Sequence, residues 1–534
     1  MLNKFRYTGN QYINTRHFFL YHCFRVILSV KSFPMQANYS NINDLFSGTG
    51  SYPLENLSKD NRWVKLADVL DWKFIEEEYN KRLSNHRRGA CNKPARMVIG
   101  AMIIKHTLCC SDEGTIISIQ ENPYMQYLVG LKYFQEAPIF SPELFVTLRK
   151  RIDDKFFNDI MLSIHKNCMK KSSSSASEHS DKSDSETSGN SHPSGSSLVT
   201  HKGKMKIDAT CSDAEMKYPT DINILEDSSR EIDRLVQKVS SKAGIASPKS
   251  SRGEARSCFV RYTKKKHKGK KLIRETKKLL LHLLSKDVQG FINLLGRLGS
   301  DILSCLNHRD LSNFSAIRKA YEQQKYMFDH DVCSCLDRIV SIFQSHVRPI
   351  VRGKAGRKTE YGAKIGVSVV NGFTYIDHLS WDAYNEGSDL MLQIMAYKER
   401  FGYYPQEVQA DKIYLNKENR KLLKKLGIVC HCPPLGRPKK NPDLEEEKLR
   451  RQASSERNSV EATFGTAKRI YRANNIRAKL KETARTWIAA CFFAKNLKKF
   501  LTGLLYLLLE KALRLQQILN TTGTGGYLGE PCAI

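Results

Sequence analysis

A serine-rich stretch limits what this chain of 534 residues can fold into. Residues 172–199 are polar and acidic and contain almost no apolar side chains. Such a segment cannot bury enough apolar surface to offset the entropy lost on ordering, so a disordered linker is predicted over about residues 170–200. The chain is therefore expected to form folded parts on both sides of this segment.

The part before the linker has the pattern of helices. Residues 60–169 carry apolar side chains at helical spacing, which predicts an all-α domain. One predicted helix ends in Arg149, Lys150 and Arg151, which would suit DNA binding, although simple helix packing explains the pattern equally well. Residues 1–59 have little pattern, and Met35 is a candidate start of translation.

The chain is strongly basic, with 86 Lys and Arg against 55 Asp and Glu and a formal net charge of +31. A field of this sign attracts polyanions, and nucleic acid is the commonest of these because binding releases counterions. Lys264–Lys271 is a concentrated basic run that we interpret as a solvated loop or a phosphate-contacting arm. A basic protein without a specific partner remains the simpler alternative.

The 14 cysteines form no regular framework, which indicates reduced thiols in a cytoplasmic protein. Cys430-His431-Cys432 resembles a metal cluster, but it lies in a short strand predicted over Ile428–Cys432, where adjacent residues point to opposite faces and do not converge on one ion. The apolar stretches at 17–30 and 500–509 are interrupted or too short for a membrane span. The expected location is the cytoplasm, associated with the nucleoid.

Two predicted strands carry an acidic residue at their ends. Residues 204–210 alternate charged and apolar side chains up to Asp208, and residues 407–411 form a strand that ends in Asp411. An Asn371-Gly372 hairpin signal lies between them. Without the helical segment at 221–350, the element order is that of an RNase H-like α/β core. We expect this core over residues 201–500, followed by a C-terminal helix and tail over 501–534.

Three carboxylates close together would suit DNA phosphoryl transfer, which uses two metal ions to hold the attacking and leaving oxygens. Asp208 and Asp411 are the first two candidates, and Glu461, on a long helix predicted to begin near Ser454, is the third. Arg457 and Lys468 lie four residues before and seven after Glu461, so the helix presents all three on one face. An ordinary Arg–Glu surface pair explains the same spacing.

At this point the sequence resembles the DDE transposases of bacterial insertion sequences. Their third-acid helix carries Tyr-x2-Arg-x3-Glu-x6-Lys, and Arg457-x3-Glu461-x6-Lys468 matches it, whereas Ser454 stands where the tyrosine belongs. In that family the tyrosine helps to hold DNA. Further segments are similar to family motifs and occur in the family order: Ile207–Cys211, Tyr218–Asp221, Trp381–Glu386, Asp411–Tyr414 with Asn419-Arg420, and Leu435–Pro438.

The resemblance implies a transposase that cleaves the ends of its element and joins the free 3′-hydroxyl to target DNA. It implies that Asp208, Asp411 and Glu461 are catalytic and hold two Mg²⁺ ions, with Mn²⁺ as an alternative. Arg457 and Lys468 would contact the transposon-end DNA, and a homodimer would join two ends.

The alternatives are a catalytically inactive or host-adopted relative, a nuclease of the same fold, and a basic RNA-binding protein. Other acidic residues compete weakly for the role of ligand: Asp213, Asp221 and Glu445–Glu447.

Overall fold

The computed structural model describes residues 53–83, 91–174, 200–351, 359–432 and 443–522. The candidate start Met35, most of the serine-rich linker and the Leu435–Pro438 motif lie outside these ranges. The described residues divide into two compact units. One contains the residues up to Ala101 together with Ile116–Ile139, and the other contains Met102–Thr115 and the residues from Phe140 onward.

The N-terminal part is helical, as predicted. Its helices are α1 to α7: Arg62–Val69, Trp72–Asn80, Ala95–Leu108, Asp112–Glu121, Pro123–Leu128, Leu144–Arg151 and Asp154–Ser174. The side chains of Asn61, Asp71 and Asn122 cap α1, α2 and α5 by accepting backbone N–H hydrogen bonds. Within the first unit, the Arg96 guanidinium donates to the carbonyls of Tyr127 and Leu128 and ties α3 to the end of α5.

The first strand, β1 at Lys204–Asp213, is followed by a helical insertion. Its helices are α8 to α11: Asp221–Ala243, Arg252–Lys264, Lys270–Leu298 and His308–Asp329. These helices enclose their own apolar core, which includes Ile232, Leu284 and Phe291. The insertion therefore folds on apolar contacts of its own, and it separates β1 from the rest of the sheet along the chain.

Among the described residues, five strands form one mixed sheet. After β1 come β2 to β5: Arg348–Val351, Thr359–Val370, Phe373–Ser380 and Glu407–Gln409. The order is β2-β3-β1-β5, with β4 also paired to β3; β1 is antiparallel to β3 and parallel to β5. Asn371 and Gly372 have φ values of +50° and +78°, so the predicted hairpin is confirmed. The strand predicted at 428–432 is reduced to one bridge between Val429 and Glu407.

Four helices complete the second unit: α12 to α15 at Leu390–Phe401, Lys417–Lys425, Leu444–Arg469 and Lys481–Thr522. Helix α14 begins ten residues before the predicted start at Ser454, because Asp443 caps it and three glutamates in its first turn favour a helix N-terminus. Helix α15 packs against α6, α7 and β4. In the part of the chain that the structure describes, no helix is long and apolar enough to cross a membrane.

Substitution of Gly362 tests the pairing of β1 with β3. A Cβ at this position would overlap the carbonyl oxygen of Ser212 on β1. We expect Gly362→Ala to destabilise the second unit by about 1–3 kcal/mol, the usual cost of overpacking, seen as a lower midpoint of thermal unfolding by circular dichroism. Gly290→Ala is the control, because Gly290 lies within α10 with no atom near its Cβ position. If the unfolding midpoint of Gly290→Ala were equal to or lower than that of Gly362→Ala, the expected difference would be contradicted.

Candidate active site

Asp208 lies in the middle of β1. The expectation that it ends the strand was wrong, because β1 continues pairing with β3 as far as Asp213 opposite Gly362. Its pairing with β5, however, ends at Lys206 opposite Gln409. Side chains alternate along a strand, so Lys204, Lys206 and Asp208 lie on one face of the sheet. Asp208 is thus the first residue on this face beyond the β1–β5 pairing.

Helix α14 covers this face of β1. The Lys206 Nζ donates to the backbone carbonyl of Glu456 at 2.8 Å and to the Ser459 hydroxyl at 3.2 Å. The Glu456 carboxylate accepts from the Gln409 amide on β5 at 2.8 Å and pairs with Lys204 at 3.4 Å. These contacts fix the helix across both strands, with its Arg457 above Asp208.

Asp411 follows β5 by two residues. Extending the register from the Lys206–Gln409 pair by two positions sets Asp411 opposite Asp208. Its carboxylate accepts a hydrogen bond from the Lys412 backbone at 2.7 Å and caps the short helix Lys412–Tyr414. The structure therefore brings together the first two predicted acids.

Arg457 contacts Asp208 directly. Its Nη1 donates to Asp208 Oδ2 at 3.2 Å, and both side chains are mostly buried. Burial raises the pKa of Asp208, and the negative charges of Glu386 and Asp411 raise it further. The Ala209 backbone N–H and the Arg457 guanidinium act in the opposite direction without cancelling the shift. Arg457 thus supplies a positive charge to Asp208, whose ionised form is disfavoured by burial and by the neighbouring negative charges.

Glu461 and Lys468 are less closely engaged. Glu461 lies one turn after Arg457 on α14, its side chain is exposed, and it forms no ion pair with any described residue. Lys468 is partly buried near the end of the same helix. Within the described ranges, no three His, Cys, Asp or Glu side chains are grouped closely enough to hold a metal ion. The structure therefore does not bring Glu461 to the two aspartates.

Glu386 is the acidic residue that sequence reasoning left without a role. It lies in the short helix Glu386–Asp389 after β4, and its Oε1 pairs with Lys364 Nζ at 3.0 Å. Its charge raises the pKa of Asp208 more than that of Asp411 does. The available signal was the Trp381–Glu386 motif, which marked the residue but gave no indication of its neighbours.

Asp221 has a structural role. It pairs with Lys277 Nζ at 2.9 Å and with Arg338 Nη2 at 2.7 Å, within the helical insertion and the segment that follows it. Glu445–Glu447 form the first turn of α14, where acidic residues favour a helix N-terminus. Asp213 lies at the far end of β1, beyond its pairing with β5.

Cys430 and Cys432 interact with each other rather than with a metal-binding group. A hydrogen bond between the two thiols lowers the pKa of Cys432 to about 6, with Arg420 acting in the same direction. His431 completes no metal-binding group with them in the described part of the chain.

Asp221→Asn should therefore act on stability rather than on chemistry. Burial alone would raise the pKa of Asp221, but the Lys277 hydrogen bond and the Lys277 and Arg338 charges lower it overall. We expect the variant to lose about 1–3 kcal/mol at neutral pH, because it leaves the buried Lys277 without its charged partner.

The pH dependence gives the check for this substitution. Because the pKa of Asp221 is lower in the folded protein, its ionised carboxylate stabilises the fold at pH values above the ordinary aspartate pKa of about 3.9. This stabilisation is lost as the pH falls through the pKa of Asp221 in the folded protein. Thermal midpoints of wild type and Asp221→Asn should differ at pH 7 and converge in acid. A difference that is independent of pH would contradict the ion-pair role.

Comparison with known proteins links the chain to transposases. A family model described as a transposase DDE domain matches residues 408–498, which include Asp411, Arg457, Glu461 and Lys468. A model described as a transposase domain (DUF772) matches residues 52–151.

The uncharacterized protein ORF8 in the nfe locus of Rhizobium meliloti is 31% identical over 99 residues. The match covers 18% of this chain and spans 46% of that relative. No solved structure matches the chain. The two family-model matches, one in the N-terminal part and one around Asp411 and Glu461, support an insertion-sequence DDE transposase.

Proposed function

We propose that this protein is a DNA transposase that binds the ends of an insertion sequence, cleaves them and joins the 3′-hydroxyl to target DNA. One observation carries the proposal. Asp208 and Asp411 each lie two residues beyond the last pair of the neighbouring strands β1 and β5, and Arg457 of the helix that also carries Glu461 contacts Asp208. Two such ends are brought together by a homodimer in the synaptic complex.

The catalytic core in this proposal is an RNase H-like domain. Its support is the sheet, in which the β4-β3-β1-β5 order combines two antiparallel pairs with one parallel pair, and Val429 extends the parallel side. The α8–α11 insertion lies between the first and second strands of that core. The helical N-terminal part supplies DNA binding.

The ligand chemistry favours magnesium. Asp208, Asp411 and Glu461 offer only carboxylate oxygens, which Mg²⁺ prefers, and Mn²⁺ accepts the same donors. We propose that these three residues hold two ions. Bound ions would supply positive charge to the attacking and leaving oxygens of the DNA phosphate. Glu461 is exposed and forms no ion pair with the described residues, so its side chain can turn without breaking one.

Other residues would position the acids and contact the DNA. In this proposal Arg457 orients Asp208 through its hydrogen bond, and Asp411 acts from the segment that follows β5. Lys468 and the solvent side of Arg457 contact phosphates of the element end. A water molecule cleaves the strand at that end, and the freed 3′-hydroxyl then attacks target DNA directly, with no covalent bond between protein and DNA.

Strand transfer tests the function. The purified full-length protein is incubated with Mg²⁺ and DNA carrying the sequences that flank its gene, and target DNA is then added. We expect wild type to join the DNA. We expect Asp208→Asn, Asp411→Asn and Glu461→Gln to lose joining by at least a hundredfold, comparable to removing one preorganised electrostatic group. Glu445→Gln, on the same helix as Glu461, is the matched control and should retain activity.

The other outcomes separate the alternatives. Cleavage without joining identifies a nuclease, and binding without cleavage identifies an inactive relative. If Glu461→Gln joins DNA as wild type does, the third ligand is another residue.

Lys468 gives an independent test of DNA contact. Lys468→Gln should weaken binding to all DNA sequences similarly and reduce the slope of log affinity against log salt by about one, as expected for one lost phosphate contact. Fluorescence anisotropy over a salt series measures this slope. Lys448→Gln, on the first part of α14, serves as control. An unchanged slope would remove Lys468 from the interface.

A further inference from the structure

We propose that Glu386 contributes a carboxylate to the divalent-ion site, beside Asp208 and Asp411. The inference rests on the proposed function, since it concerns the same site. It adds a residue that lies outside the Tyr-x2-Arg-x3-Glu-x6-Lys signature, on a different element from the third-acid helix.

The backbone at Glu386 is fixed against the segment that carries Asp411. The Asn419 amide donates to the carbonyls of both Gly387 and Tyr414 at 2.7 Å, joining the two segments. A Cβ on Gly387 would lie only 2.7 Å from the Ile413 carbonyl oxygen, so the segments approach more closely there than a side chain allows. The position of Glu386 relative to the Asp411 segment is therefore rigid.

The side chain of Glu386 is mostly buried beside a single cation. Lys364 Nζ pairs with its Oε1 at 3.0 Å and also donates to the Tyr384 carbonyl at 2.7 Å. Across the site, Arg457 pairs with Asp208. Glu386 and Asp208 thus each pair with one basic side chain. The Asp411 carboxylate instead accepts a hydrogen bond from the Lys412 backbone N–H. Three neighbouring carboxylates with two cations favour binding of a further cation.

Tyr414 provides a second, independent observation. Its side chain is fully buried, and its hydroxyl has no hydrogen-bond partner among the described residues. Burial raises its pKa, and the charges of Glu386, Asp208 and Asp389 raise it further, so Glu386 and Asp208 both lie near this ring. A buried hydroxyl needs a partner, and a hydrated ion held between Asp208 and Glu386 would supply one.

Ion binding requires side-chain rotation, because the described acids are not grouped as ligands. Lys364 and Glu386 both have long, flexible side chains, so the carboxylate can turn from the lysine toward Asp208 while the backbone stays fixed. A purely structural pairing with Lys364 is the competing explanation, and the chain contains a matched residue for testing it.

Glu407 is that matched residue. It lies on β5 in the same sheet, its side chain is 12% exposed against 13% for Glu386, and it pairs with Lys204 at 3.2 Å. Glu407 is not among the groups with the largest effect on the pKa of Asp208. Both substitutions to glutamine remove the charge of a similarly buried glutamate that pairs with a lysine, Lys204 being 52% exposed and Lys364 12%. Of the two glutamates, Glu386 is the one whose charge raises the pKa of Asp208.

Manganese binding to the full-length protein is the direct test, with free Mn²⁺ measured by electron paramagnetic resonance in the absence of DNA. Thermal unfolding in EDTA verifies that each variant is folded. We expect Glu386→Gln to weaken Mn²⁺ binding by about ten- to a hundredfold and Glu407→Gln to bind as wild type does. Wild-type affinity in Glu386→Gln, combined with lost affinity in Asp208→Asn, overturns the inference and leaves the proposed function standing. Absence of Mn²⁺ binding by wild type overturns the inference, and the strand-transfer assay then decides the proposed function.

A second measurement needs no variant. Fe²⁺ substituted for Mg²⁺ in wild type, with ascorbate and peroxide, generates hydroxyl radicals that cut the backbone close to the ion. We expect cuts near residues 208, 411 and 386, located by mass spectrometry of the fragments. Cuts near 208 and 411 without any near 386 would exclude Glu386 from the site.

Discussion

The pairing of β1 with its two neighbours is the constraint on which the rest of the second unit depends. Antiparallel pairing to β3 covers β1 from Lys206 to Asp213, whereas parallel pairing to β5 covers only its first three residues. Beyond Lys206, the edge of β1 that faces β5 therefore has no paired strand among the described residues. Asp208 lies where that edge begins, and the segments carrying Asp411 and Glu386 both pack beside it.

The charges around Asp208 show how a fold can keep acids together at a cost to stability. Burial and two like charges raise the pKa of Asp208, and one hydrogen bond from Arg457 only partly compensates. Replacing such groups with apolar residues is often neutral or stabilising. The acidic residues around Asp208 are therefore better explained by a catalytic role than by a contribution to stability. Asp221 differs, because its two basic partners lower its pKa and the ionised carboxylate stabilises the fold.

Local signals were predictable where the chain itself enforces the conformation. The Asn371-Gly372 turn followed from two residues that tolerate positive φ, and the strand before Asp411 followed from alternation. The start of α14 was misplaced, because its first turn reads as a solvated charge run unless Asp443 is recognised as a cap. The end of β1 was also misplaced. Its length depends on residues of β3 that lie beyond the whole helical insertion.

The sequence by itself determined the basic charge, the helical pattern of the N-terminal part and of the insertion, and the positions of Asp208 and Asp411 in or just after strands, because charge and apolar periodicity are local properties. Only the tertiary structure decided which other groups meet them. It set Arg457 on Asp208, left Glu461 exposed on the next turn, and brought Glu386 near Asp208. These outcomes depend on the docking of α14 over β1 and on the Asn419 bridge, and no spacing within one segment encodes either contact.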